Sequence, residues 1–357
     1  MYLSCPRQVN EIIRNYMIPR TALTWQTANW QKQLAEAIRD PAELLEALCL
    51  PESLLPTARQ AAKLFPLRVP HSYLARINKG DIDDPLLRQV LPLQAELEPQ
   101  PADFVQDPVG DLDAMPVPGL LHKYPGRVLL ITTAACAVHC RYCFRRHYPY
   151  QQAQNRPFCW APALKYIQDN ESIHEVILSG GDPLSLSNER LSELIGQLQD
   201  IPHLRQLRFH TRFPVVLPAR IDETFLALLA RTRLQTIMVI HCNHAQEISP
   251  DVKAMLTNLS RQGCTLLNQA VLLKGVNDDL LSLKQLSEGL FDAGVLPYYL
   301  HQLDKVSGAA HFAVASELAL QLEQDLRQQL PGYLVPKLVV EVAGMSSKLP
   351  LRENPTI

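Results

Sequence analysis

Apolar residues recur along this chain in two rhythms, and the change between them falls about a third of the way in. Up to Phe65 they come at three- and four-residue intervals, as in WQTANWQKQLAEAIRD, PAELLEALC and PTARQAAKLF, which predicts amphipathic helices. Asp40 followed by Pro41 supplies a cap and then a proline in the first helical turn. From Leu91 to Gly119 the periodicity dissolves into LPLQAELEPQPADFVQDPVGDLDAMPVPG, rich in proline and acidic residues, which reads as a linker or a strap over the surface. Residues 1–118 are therefore expected to form a helical region and linker with no chemistry of their own.

Beyond that point strand-like runs appear at RVLLITTA (127–134), EVILSGG (175–181), LRQLRFHTR (204–212), TIMVIHCN (236–243), TLLNQAVLL (265–273) and LPYYLHQL (296–303). Between them lie the amphipathic segments NERLSELIGQLQD, DETFLALLARTR, DVKAMLTNLSRQG and LLSLKQLSEGLFDAG. Strand and helix alternating at roughly 30-residue spacing predict βα units and a parallel sheet. Six such units and one more strand, PKLVVEVAG, fall short of a full eight-fold barrel. The expected fold is thus α/β, a partial (β/α)6 TIM-like barrel over 119–357 behind the N-terminal helical region.

Unusual polar residues gather at the C-terminal ends of these strands, the catalytic face of such barrels. They are a cysteine loop after the first run, Ser179 to Asp182 after the second, His210 to Arg212, His241 to His244, Asn268 and Gln269, and His301 to Asp304.

Composition narrows the class of protein. The 357 residues leave room for a large core, and a net charge of −2 offers no basic field for nucleic acid or a membrane surface. The start has no continuous apolar core of signal-peptide type and no later run is long enough to span a bilayer, so the expected location is the cytoplasm. Eight cysteines are too sparse for a disulfide scaffold, and Cys5, Cys49, Cys159, Cys242 and Cys264 read as reduced thiols.

The other three, Cys136, Cys140 and Cys143, stand as C-x3-C-x2-C directly after an apolar run. Three thiolates this close share a metal centre more readily than they pair as disulfides. A structural zinc takes a fourth Cys or His, whereas three cysteines alone suit a cubane iron-sulfur cluster with one iron left open. A loop of buried free thiols is the competing reading. In SGGDP the two glycines let backbone approach a ligand closely, and Asp182 either accepts from an amine or caps the next helix.

The three-cysteine spacing, with Tyr142 before the last Cys, is similar to that of radical S-adenosylmethionine enzymes. CRYCFRRHY, LSGGDPL, FPVVLPARI, HCNHAQEIS, NQAVLLKGVND, PYYLHQLD and VVEVAGMSSK together resemble the lysine 2,3-aminomutase family, from about His122 to Lys348. The fermentation enzymes of that family continue into a Cys-containing tail, whereas this chain stops at Ile357 and so resembles the short bacterial branch.

The resemblance implies an isomerase that uses a 4Fe-4S cluster, S-adenosylmethionine and pyridoxal phosphate to convert lysine to β-lysine. It also implies a functional link to translation elongation factor P and its lysyl-ligase, and leaves homo-oligomerisation open. Cys136, Cys140 and Cys143 would hold the cluster. Tyr142 would lie beside the adenine, Ser179, Gly180, Gly181 and Asp182 at the methionyl amino group, and His241 near S-adenosylmethionine. Lys348 matches the Schiff-base lysine, with Tyr124, Arg127, Asn268 and Gln269 around the pyridoxal ring and phosphate. Arg145 matches the substrate-carboxylate arginine, and Asp304 and Glu341 match the acids that hold the ε-ammonium, Glu341 replacing an Asp of the longer enzymes. A glutamate-type aminomutase and a non-catalytic iron-sulfur or zinc protein are the alternatives.

Overall fold

The computed structural model describes residues 29–150 and 160–352. At its centre nine strands follow one another in chain order: β1 (Leu120–Tyr124), β2 (Arg127–Thr133), β3 (Glu175–Gly180), β4 (Gln206–Thr211), β5 (Gln235–Ile240), β6 (Thr265–Val271), β7 (Leu296–His301), β8 (Lys337–Val340) and β9 (Leu349–Pro350). Strands β2 to β8 run parallel, and each end carries one antiparallel neighbour, β1 on β2 and β9 on β8. Among the described residues no ladder joins β9 to β1, so the barrel is open, as its short count of units predicts.

The seven expected strands are present within a few residues of their predicted ends. β3 is buried along almost its whole length, which is why it reads as a continuous apolar run and not an alternating one. β6 does alternate, with Leu266, Asn268 and Ala270 buried and Leu267, Gln269 and Val271 partly open.

The expected helices are Asn188–Gln199, Glu223–Arg231, Pro250–Arg261 and Leu280–Asp292. Ser187, Asp222 and Asp279 cap three of them by accepting from backbone N–H groups of the first turn. Two more helices, Ala161–Gln168 and Ser316–Gln329, were not apparent in the pattern. The second buries only Ala319, Leu322 and Leu326, a stripe too thin to stand out from its polar surroundings.

Before the barrel the chain forms short helices at Trp30–Ala35, Pro41–Ala47 and Leu55–Leu64, and the Asp40 side chain accepts from Ala42 N at 3.0 Å as the Asp-Pro signal predicts. The opening of WQTANWQKQLAEAIRD, Cys5 and Cys159 lie outside the described residues. One hydrophobic core contains Trp30, Leu44 and Tyr73 from this part together with Leu178, Phe209 and Leu338 from the barrel.

The expectation that the segment 91–119 merely crosses the surface is corrected. Glu96 is 4% exposed and Asp111 2%, because each carboxylate meets buried cations of the barrel. Among the described residues no helix is long and apolar enough to cross a membrane.

Candidate active site

The strand ends open on one cavity of about 530 Å³. Its wall includes Cys136, Cys140, Cys143, Tyr142, Ser179 to Asp182, Arg145, His241, Gln269, Asp304, Glu341 and Lys348, and Tyr124 and Arg127 from the β1–β2 hairpin. Residues chosen from separate stretches of sequence therefore meet. Asn268 is the exception.

The cysteine loop leaves β2 at Thr133, whose Oγ1 accepts from Ala135 N at 3.1 Å. It is stitched to the N-terminal part by His139 N donating to Arg68 O and Arg141 N donating to Gln89 O. Within the loop, Arg141 is 0% exposed and donates through Nε and Nη2 to the two oxygens of Glu96 at 2.8 and 2.5 Å, and Arg146 adds a third bond at 2.7 Å. A planar guanidinium suits this bidentate match. Phe65, from the same N-terminal part, lines the cavity, so that region is not chemically remote as the sequence suggested.

Burial pushes the Cys136 thiol well above its ordinary value, with Asp182 and the two other cysteines adding, and burial with Cys140 pushes Cys143 up to about 11. Without a metal these thiols keep their protons; iron would displace them. Arg212, which sequence reasoning left without a role, donates from Nη1 to Cys140 Sγ at 2.7 Å and from Nη2 to Glu247 and Gln89. Tyr142 is fixed by Asn243 Nδ2, which donates to its hydroxyl at 2.7 Å.

The glycines after β3 are explained by the protein itself. A Cβ on Gly181 would lie 2.4 Å from the Ala135 carbonyl oxygen, and one on Gly180, at φ 120°, would lie 2.6 Å from the Thr133 oxygen. The close approach that needs glycine is to the cysteine loop. Asp182 shows its capping role: it accepts from Leu184 N, Thr211 Oγ1 and Arg212 N, and burial lifts its carboxyl to about 6 against those bonds.

The expectation for Asn268 is corrected. It is 2% exposed, and its amide accepts from Cys242 N at 2.9 Å and donates to Cys242 O at 3.0 Å, tying β6 to the end of β5. Successive strand residues point to opposite faces, so Gln269 turns into the cavity and Asn268 away. Gln269 Nε2 lies 2.8 Å from His241 Nε2. Burial, with Arg212 and Arg145 adding, brings His241 down to about 3, and burial with Lys348 does the same to His301. These imidazoles are neutral at physiological pH and add no positive charge.

At the other side of the cavity Arg145 donates from Nε to Asp111 Oδ2 at 2.7 Å and from Nη1 to Ser179 Oγ at 3.1 Å. Glu341 accepts from Lys123 at 3.2 Å and from Lys348. The Asp304 carboxylate makes no hydrogen bond or ion pair among the described residues, and burial, then nearby Glu341, lifts it to about 7. Asp111 and Lys123 were missed. Their only sequence signal was Lys123 standing two residues after the buried Leu121, which counts only once β1 is known to be a strand.

A family profile described as a 4Fe-4S single cluster domain matches residues 124–206. The chain is 49% identical to L-lysine 2,3-aminomutase of Escherichia coli (strain K12), over 90% of this chain and 94% of that one. It is 48% identical to the L-lysine 2,3-aminomutase of Haemophilus influenzae, over 93% and 98%, and 34% identical to that of Clostridium subterminale, over 91% and 78%. The first two matches cover nearly the whole length of both chains. The chain belongs to the L-lysine 2,3-aminomutase family of isomerases.

Proposed function

We propose that this protein moves the α-amino group of L-lysine to C3, giving β-lysine, with a 4Fe-4S cluster, S-adenosylmethionine and pyridoxal phosphate bound in the one cavity. The observation that carries this reading is that Cys136, Cys140 and Cys143 line the same cavity as Lys348, more than half the chain away.

The residues fit these groups. Among the described residues no three His, Cys, Asp or Glu side chains are grouped to hold a single ion. A cubane cluster spreads its cysteine sulfurs farther apart than one ion does, and the three cavity-facing thiols on one loop suit it. Two lysines line the cavity, and Lys123 has all three of its donors taken, by Val109 O, Asp111 and Glu341. Lys348, whose Nζ has the single partner Glu341, is the one left to hold an aldehyde.

When bound, these groups supply the radical and electron-delocalising chemistry, while the protein binds, orients and excludes water. Arg145, held from behind by Asp111, would receive the substrate carboxylate. Asp304 is a half-buried carboxylate on the cavity wall with no ion-pair partner among the described residues, a place that an ammonium would satisfy. That vacancy favours lysine over glutamate as substrate. Gln269 and His241, bonded to each other, would position the pyridoxal and S-adenosylmethionine sides, and Tyr142 would stack on the adenine. Tyr124 and Arg127, whose guanidinium carbon lies 4.7 Å from the Tyr124 ring centre, would meet the pyridoxal ring and phosphate. The transfer of β-lysine to elongation factor P through its ligase is carried over from the short bacterial branch and belongs to the same proposal.

Anaerobic incubation of the reconstituted protein with lysine, S-adenosylmethionine, pyridoxal phosphate and a reductant tests this. The expected product is β-lysine, with S-adenosylmethionine needed but not consumed in proportion. Conversion of glutamate in place of lysine, or no amino migration, would overturn it.

A further inference from the structure

An ammonium group has three N–H donors, and Lys123 has an acceptor for each: the Val109 carbonyl at 2.7 Å, Asp111 Oδ1 at 2.6 Å and Glu341 Oε1 at 3.2 Å. The acid on either side of it also uses both oxygens. Asp111 Oδ2 accepts from Arg145, and Glu341 Oε2 accepts from Lys348. The result is an unbroken row of alternating charge, Arg145, Asp111, Lys123, Glu341 and Lys348. It draws on the strap before the barrel, β1, the cysteine loop and the segment after β8. The side chains of Lys123 and Glu341 are 16% exposed, Arg145 8% and Asp111 2%, so little water screens these contacts.

We propose that Lys123 is a positioning residue that fixes the separation between Arg145 and Glu341, and so sets the length of amino acid the site accepts. This rests on the reading above, in which Arg145 takes the substrate carboxylate and Glu341, with Asp304, its distal ammonium. Lys123 does not bind the substrate, since none of its donors is left. It acts through the two acids, one of which aims the arginine while the other faces the ammonium.

Two recognition groups tied to one buried ammonium cannot drift apart or together to suit a shorter ligand. Ornithine, one methylene shorter than lysine, would then reach only one end. A lysine serving merely to neutralise two buried acids would affect both amino acids alike when removed.

The test uses the holoenzyme, reconstituted anaerobically with iron and pyridoxal phosphate, as wild type, Lys123→Met and Lys123→Gln. Lysine or ornithine is titrated against the pyridoxal absorbance with no reductant present, so that binding is read without turnover. Iron content, S-adenosylmethionine binding and Tm are measured alongside, and KM and kcat follow under turnover. Lys123→Met should weaken lysine at least about tenfold, raise KM more than it lowers kcat, and narrow the lysine-to-ornithine preference at least about threefold, leaving iron and S-adenosylmethionine binding unchanged. Lys123→Gln keeps donors for Val109 and Asp111 and narrows the preference in a chain that folds even where the methionine variant does not. Folded variants that keep the wild-type preference overturn the role of Lys123 alone. A wild type whose spectrum ignores lysine overturns the substrate reading instead.

Discussion

Lys348 Nζ donates to Glu341 Oε2, and the other oxygen of the same carboxylate accepts from Lys123 at 3.2 Å. Burial by itself would raise the Glu341 carboxyl, but the two ammonium groups outweigh it and bring it down to about 2. Glu341 thus stays ionised across the physiological range and holds Lys348 at the cavity wall. The two lysines are distinguished by their bonding, and borohydride reduction of the cofactor-loaded protein should fix pyridoxal to the peptide carrying Lys348. Lys348→Ala should lose the pyridoxal absorbance while keeping its iron. Label on Lys123, Lys274 or Lys337 would show the wrong residue has been assigned.

Cys140→Ala, like Cys136→Ala and Cys143→Ala, should abolish turnover and lower bound iron. Cys264→Ala, at a thiol 3% exposed and away from the cavity, should keep both. Iron analysis after anaerobic reconstitution decides the matter, and full iron in Cys140→Ala would remove the cluster from this loop.

The glycine after β3 gives the same centre a test that leaves every cysteine in place. With a Cβ only 2.4 Å from the Ala135 oxygen, Gly181→Ala must push the cysteine loop away. Iron retention should drop although all three thiols remain. Gly196→Ala, where nothing lies within 4 Å, is the control, and it should keep its iron and gain about 0.5–1 kcal/mol in denaturant unfolding.

Asp304 carries a pH dependence of defined sign. Its carboxyl is raised in the folded protein to about 7, mainly by burial, against an ordinary value of 3.8. The folded chain therefore holds a proton through a window in which the unfolded chain has lost it. This group's contribution to stability falls as pH rises from about 4 to 7 and is least favourable above that. Asp304→Asn should raise Tm at pH 8 by at least ~2 °C and by less at pH 5, while losing lysine binding. A gain of the same size at both pH values would contradict the raised carboxyl.

Glu96 anchors two arginines of the cysteine loop, one of them 0% exposed. Removing one partner of a buried pair costs about 3–5 kcal/mol. Glu96→Ala should lower Tm by about 10 °C, read by calorimetry, and loosen iron retention by freeing Arg141 between Cys140 and Cys143. Unchanged iron with a lowered Tm would make the anchor structural only.

Much of this was legible in the chain. The alternation from Arg127 to Val340 specified the parallel strands, because side-chain period and run length are local properties that burial on two faces imprints directly. The C-x3-C-x2-C loop was legible because its chemistry is packed into eight consecutive residues, Cys136 to Cys143. His210, His241 and His301 were found because their position relative to a strand is itself a signal, and the cavity gathers these three, while His244 caps the turn after β5.

What only the tertiary structure decided was where each polar side chain spends its hydrogen bonds. Asn268 and Gln269 are adjacent and chemically alike, and the pleat of β6, with its register shift between them, sends one to Cys242 and the other to the cavity. Asp182 is readable as a cap from its place before a helical turn, but no local pattern records that Thr211 and Arg212 arrive from the end of β4 to bond its oxygens. Asp111 lies in a proline-rich stretch without periodicity, and it becomes part of the site only because Lys123 and Arg145 converge on it from two other segments. A periodicity is written in neighbouring residues, but the partner of a buried charge is set by whichever distant segment the fold brings within about 3 Å, and no local pattern records that distance.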